Sequence, residues 1–243
     1  MSAQAHMPLI ELRGVTKTYG SGTAAFEALR GVDLDIEAGE MVAVMGASGS
    51  GKSTLMNLLG CLDTPTAGRY RFAGRPVEAL SKDARALLRR HYLGFIFQGF
   101  NLLARTTALE NVELPLIYRG VPRRQRRERA RAALASVGLL RWQNHAPNEL
   151  SGGQQQRVAV ARALATDPAV LFADEPTGNL DSSTSVEIME LIQNLNRAEK
   201  ITVVLVTHEP EMAGYARRTI TIHDGLVASD VRSGDRPVST EAA

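Results

Sequence analysis

The chain is poor in several features that would narrow its class at once. It holds a single cysteine, Cys61, among 243 residues. No internal disulfide framework can form, which fits a reducing compartment. Cys61 ends an apolar, helix-like run and reads as a buried structural thiol rather than a reactive one. Charge of one sign is also scarce. The formal net charge is +2, too mild to argue for nucleic acid by itself. No apolar run approaches the ~18 residues that a membrane-spanning helix needs. The longest runs, Ala169–Ala173 and Ile201–Val206, are the length of strands. Met1–Pro8 lacks a basic region followed by a long apolar stretch, so no secretory leader is expected. The expectation is a cytoplasmic protein, with any membrane role exercised through a partner.

What remains is ordinary globular material, with 44% hydrophobic and 22% charged residues, enough for one large α/β domain or two small ones. One stretch stands out. Gly46-Ala47-Ser48-Gly49-Ser50-Gly51-Lys52-Ser53-Thr54 fits G-x-x-x-x-G-K-[ST], a phosphate-cradling loop. The apolar run Met41–Met45 precedes it and Leu55–Leu59 follows, the strand–loop–helix context the motif needs. Glycines let the backbone wrap closely and aim its N–H groups at an anion. The helix beginning near Lys52 adds positive charge at its N-terminus. Lys52 would reach the β- and γ-phosphates, and the Ser53 hydroxyl would face Mg²⁺.

The surrounding pattern is α/β. Leu9–Tyr19 alternates apolar and polar residues as a half-buried strand does, and Phe26–Ile36 repeats this. These strands predict an antiparallel region leading into the core. Arg69–Ala73 reads as a short edge strand. Ser81–Arg90 reads as a helix capped by Ser81, and Leu93–Phe97 as a strand ending at Gln98. From about residue 99 to 166 helices are expected, inserted in the core, with Pro122 starting one of them. Arg123–Arg129 is the densest charge run. It fits a solvated helix face, and it also fits a docking surface for an acidic partner or lipid headgroups. RNA is disfavoured, because no aromatics interleave with the arginines. Ser182–Arg197 is amphipathic, with Val186, Met189, Ile192 and Leu195 at helical spacing. Arg218–His223 and Leu226–Ser229 predict a hairpin, and residues 230–243 a polar tail.

A second chemical stretch is Ala169–Ala173 followed by Asp174-Glu175. In phosphate-loop enzymes the first carboxylate at such a strand end holds Mg²⁺. Asp174 is the candidate for that, and Glu175 is then placed to polarise an attacking water.

At Leu150-Ser151-Gly152-Gly153-Gln154 the chain resembles the signature of the ATP-binding-cassette (ABC) ATPases. The rest of that family's pattern follows in order: Tyr19 where an aromatic stacks on adenine, Gln98 in the glutamine loop, Gly178–Asp181 after the acidic pair, and His208 as the switch histidine. Further stretches, including Gly60–Asp63, Gly94–Gln98 and Ser151–Arg157, resemble the branch of macrolide exporters, lipoprotein-release complexes and the related cell-division complex. Glu209 departs from the aspartate more usual after the histidine.

The resemblance implies an α/β fold. It would have a P-loop NTPase core with a mainly parallel sheet, an N-terminal antiparallel β subdomain and an α-helical signature subdomain, all one cassette over residues 1–243. It implies ATP and Mg²⁺ as cofactors and ATP hydrolysis as the reaction. The metal would be met by Ser53, Asp174 and Gln98. Catalysis would fall to Glu175, His208 and Lys52. Ser151, Gly152, Gly153 and Gln154 would serve the nucleotide of a second cassette in a head-to-tail homodimer, with Asp181 coupling the two sites. An integral membrane permease on a separate chain, with or without a periplasmic adaptor, is the implied partner, holding the cassette on the cytoplasmic face of the membrane. Export, lipoprotein release and transmembrane mechanotransmission all fit. The alternative is a soluble ABC ATPase acting on nucleic acid or ribosomes. Such proteins usually carry two cassettes or a long coiled-coil insertion, and neither is present in these residues.

Overall fold

The computed structural model describes residues 7–232. The expectations for the first six residues and for residues 233–243 lie outside that range.

Two sheets sandwich one helix. The first is antiparallel and joins β1 (Ile10–Tyr19), β2 (Phe26–Ile36), β4 (Ala67–Phe72) and β5 (Arg75–Pro76) in the order β2-β1-β4-β5. The second combines β3 (Met41–Met45), β6 (Leu93–Phe97), β7 (Val170–Asp174), β8 (Thr202–Val206), β9 (Arg218–His223) and β10 (Leu226–Arg232) in the order β10-β9-β3-β8-β7-β6. Every pairing in it is parallel except β9 with β10. Helix α1 (Lys52–Leu59) supplies Leu55, Leu58 and Leu59 to the core between the sheets.

The continuous apolar runs of β3, β7 and β8 are explained by burial on both faces. Val42, Val44, Phe172, Val204 and Val206 face the core shared with α1 and the antiparallel sheet. Their neighbours Met41, Ala43, Leu171, Ala173, Val203 and Leu205 face a second core. That core is closed by α3 (Ala108–Tyr118), α4 (Arg123–Ser136), α5 (Gly152–Leu164) and α6 (Ser182–Glu199). Helices α3, α4 and α5 run consecutively between β6 and β7. The short α7 (Pro210–Ala213) adds Met212 and Ala213 to that second core, and α2 (Lys82–Tyr92) contributes nothing to it. The Ser81 hydroxyl accepts from the Ala84 N–H and caps α2, as its sequence position predicts.

Three details differ from the sequence reading. Strand β4 is not an edge: it lies between β1 and β5, because Ala73 and Gly74 take left-handed φ values of 48° and 74° and fold the chain back onto it. Val186 does not join the buried stripe of α6. It is 40% exposed, and Ser185 and Ile188 take the inward positions beside Met189, Ile192 and Leu195. The last hairpin also runs three residues longer, to Arg232, where a polar tail was expected. A register shift between Val227 and Ser229 breaks the alternation that would mark this strand in the sequence. The buried Arg218 guanidinium then holds it by donating to both oxygens of Asp230 at 2.7 and 2.6 Å, and it also reaches Glu40 on the other side.

Candidate phosphate site and its comparisons

β3 ends at Met45, and the chain turns through Gly46–Gly51 into α1. The turn needs its glycines for space. Gly46 has φ +149°, and a Cβ there would strike the carbonyl of Ile222 on β9. Gly51, the N-cap of α1, has φ +109°, and a Cβ would meet the Ala28 carbonyl at 2.7 Å. No side chain caps α1, so its positive end is left for another acceptor. The Lys52 ammonium curls back over the loop and donates to the carbonyls of Gly46 and Ala47 at 2.9 and 2.8 Å. The Ser50 hydroxyl is buried in the turn without a hydrogen-bond partner.

The parallel pairing of β7 with β8 places Asp174 opposite Val206. The residues that follow each strand therefore emerge side by side, facing the loop. The Glu175 N–H donates to the Val206 carbonyl at 2.9 Å, and Glu175 Oε1 lies 2.9 Å from His208 Nδ1. Glu175 holds a left-handed φ of +44°, uncommon for a residue with a side chain. Burial and the neighbouring Glu175 charge push the Asp174 carboxyl above its usual range, against the pull of Lys52.

A cavity of about 730 Å³ results, lined by Met45, Gly46, Ala47, Ser48, Gly49, Lys52, Ser53, Asp174, Glu175, Val206, His208 and Thr221. Its chemistry fits an anion with a hard cation: an uncapped helix start and an ammonium on one side, a hydroxyl and carboxylates on the other. No group of three or more His, Cys, Asp or Glu among the described residues could hold a metal alone. A cation here takes oxygens from phosphate and water as well, the habit of Mg²⁺.

Other expected site residues lie away from this cavity. The Tyr19 hydroxyl donates to Asp63 at 2.9 Å, and Lys17 Nζ sits 4.8 Å from its ring centroid. Thr54 neighbours that hydroxyl rather than the cavity. Gln98 exchanges hydrogen bonds with Asn179: its carbonyl accepts from Asn179 at 3.0 Å and its amide donates back at 3.4 Å. Asp181 caps α6 and accepts from Ser183 and Thr184, which holds its carboxyl well below the usual range. Ser151 and Gln154 cap α5 reciprocally, and Gly152 and Gly153 pack against Leu180 and Thr184. Thr221 is a cavity residue that sequence reasoning missed. It is a single threonine inside β9, and only the sheet order brings it beside Met45.

Residues 29–178 match the family model for the ABC transporter. The chain belongs to this family. The cassette is 52% identical over 240 residues to the macrolide export ATP-binding/permease protein MacB of Syntrophobacter fumaroxidans, covering 98% of the cassette and 34% of that protein. It is 50% identical over 237 residues to the pyoverdine export ATP-binding/permease protein PvdT of Pseudomonas aeruginosa, covering 97% and 36%. The cassette thus spans about a third of the length of these curated relatives. Among solved structures it resembles the ATP-binding cassette MJ0796 in a dimeric post-hydrolysis state bound to ADP and Pi. The TM-score is 0.83 at 47% identity, with 92% of this chain and 98% of that one covered. It is accordingly an α/β ATPase cassette of the ABC type, which uses ATP with Mg²⁺.

Proposed function

We propose that the cassette powers a membrane export system by closing and reopening a head-to-tail dimer around two ATP molecules. Lys52 and the N–H groups of Gly46–Thr54 hold the phosphates. Ser53 and Asp174 hold Mg²⁺, with Gln98 reporting its presence. Glu175 takes a proton from the attacking water, and His208, already 2.9 Å from Glu175, orients that water and touches the γ-phosphate. Tyr19 packs on the adenine. Ser151–Gln154 bind the γ-phosphate held by the second cassette, and Asp181 couples the sites. The whole chain acts as one cassette, with about residues 99–166 as its helical subdomain. It works on the cytoplasmic face of the membrane against a permease; the names of MacB and PvdT join ATP binding with a permease in those proteins. No helix of the described residues is long and apolar enough to cross a membrane.

The observation that carries this reading is the division of the phosphate-binding parts. Glu175, His208 and the loop share one cavity, while a second glycine-bearing helix start, at Ser151, faces elsewhere. A Glu175→Gln chain tests it. Hydrolysis should fall by roughly 10²–10⁴-fold, the usual contribution of a general base. ATP binding should persist, and ATP should shift the chain from monomer to dimer in gel filtration. Wild-type turnover by the variant, or no ATP-dependent dimer, would overturn the assignment.

A further inference from the structure

Gln156, on α5, is placed as packing alone does not require. It is fully buried. Its amide nitrogen donates to the Pro176 carbonyl at 2.6 Å, while its amide oxygen, also buried, has no hydrogen-bond partner. Burying a carboxamide with one end unsatisfied is costly, and methionine would fill the same volume without that cost. The bond to Pro176 is what distinguishes glutamine here.

Pro176 directly follows Glu175, whose φ is +44°. A residue preceding proline is restricted further in its backbone, so this loop depends on outside restraint. Two bonds hold the peptide groups of Glu175: its N–H donates to Val206 at 2.9 Å, and its carbonyl accepts from the Gly178 N–H at 3.1 Å. The bond from Gln156 holds the next peptide along. Gln156 also shares α5 with the Ser151–Gly153 turn, five residues away, about 7.5 Å along a helix.

We propose that Gln156 is a positioning residue that ties each chain's signature turn to its own glutamate. When Ser151–Gly153 docks on the nucleotide of the second cassette, α5 and Gln156 carry the Pro176 carbonyl with them. That sets Glu175 toward the nucleotide in its own cavity. Gln156 does not line that cavity and acts through Pro176 alone. The inference rests on the shared-site reading above.

Gln156→Met and Gln156→Leu remove the donor with little change of volume. In homodimers of either variant, ATP turnover should fall at least tenfold, while affinity for a fluorescent ATP analogue stays within twofold and the melting temperature holds. Loss of turnover only in step with ATP affinity, or with the folded fraction in both variants, would overturn the proposal.

Differently tagged heterodimers then locate the lesion by single-turnover ADP release. With Gln156→Met and Glu175→Gln in the same protomer, both lesions fall on one composite site, and one ADP per dimer should appear. With the two substitutions in opposite protomers each site is damaged, and no burst should appear. If this pattern is reversed, Gln156 serves the signature turn and the proposed link is wrong. If the Glu175→Gln homodimer does not assemble on ATP, the shared-site reading fails instead.

Discussion

Helices α1 and α5 both begin after glycine-bearing turns, and they are capped in opposite ways. The N-cap of α1 is Gly51, which offers no side chain. Its turn opens on a cavity with Lys52, Ser53 and two carboxylates. The N-cap of α5 is Ser151, whose hydroxyl accepts from the Gln154 N–H at 3.3 Å while Gln154 Oε1 accepts from the Ser151 N–H at 2.9 Å. The first helix start is left unsatisfied within the chain and gains a partner only when an anion arrives. The second satisfies part of its own need and packs its glycines on Leu180 and Thr184. A helix start can thus be built either as a receptor or as a self-supporting surface that a partner brings to a ligand. The energetic consequences of altering each should differ accordingly.

The largest expected effect is at α1. Lys52→Ala removes the ammonium from the phosphate cavity, and hydrogen bonds to charged groups contribute about 1.5–3 kcal/mol each. Affinity for a labelled ATP analogue should drop by about 100-fold, since about 1.4 kcal/mol is a factor of ten. The melting temperature without nucleotide should change little, because Lys52 bonds only to carbonyls of its own loop. Unchanged ATP binding would remove Lys52 from the phosphate site.

Ser151→Ala should invert that profile. Losing the cap costs about 1 kcal/mol, roughly 2–4 °C of melting temperature in a chain of this size. ATP affinity of the isolated chain should not change, because Ser151 is not part of the cavity lining. Turnover should nonetheless collapse in the homodimer. Loss of ATP affinity in the isolated Ser151→Ala chain would erase the contrast between the two helix starts.

Much of this was legible in the sequence because the phosphate loop is local. Gly46–Thr54 lie together in the chain, and the run Met41–Met45 shows that a buried strand delivers them. The carboxylates were legible for the same reason, ending an apolar run, whereas His208 was singled out only through the family resemblance. What the sequence did not show is set by tertiary neighbours. Tyr19 is engaged by Asp63 and Lys17, and nothing near Tyr19 announces that pairing. Gln98 pairs with Asn179, eighty-one residues away. Strand β10 hides its register behind a bulge, and Val186 turns outward although its spacing suits the buried stripe. Periodicity places an element, but the partner that holds a single side chain comes from sheet order.

The smallest expected effect compares two aspartates, one facing the cavity at the end of β7 and one capping α6. Asp174 faces the cavity, where burial and Glu175 raise its pKa above the usual 3.8. Asp181 caps α6 and is held below 3.8 by Ser183 and Thr184. With a raised pKa, the folded chain binds more protons than the unfolded one in the window above 3.8, so Asp174 weakens the fold as pH rises through that window. Asp181 has the opposite sign: it stabilises above 3.8, and its contribution is lost as pH falls below that value. Asp174→Asn should therefore raise the nucleotide-free melting temperature near pH 7, a gain that shrinks toward zero as pH approaches 3.8, while turnover is lost. Asp181→Asn should be destabilising near neutral pH and progressively less so in acid. Thermal melts of both variants between pH 3 and 8 check the pair. If Asp174→Asn were as destabilising as Asp181→Asn, Asp174 would be a structural carboxylate, already satisfied within the chain like the α5 cap. A stabilised but inactive Asp174→Asn would show that the charge is kept there at the expense of stability, to meet a cation that the fold alone does not supply.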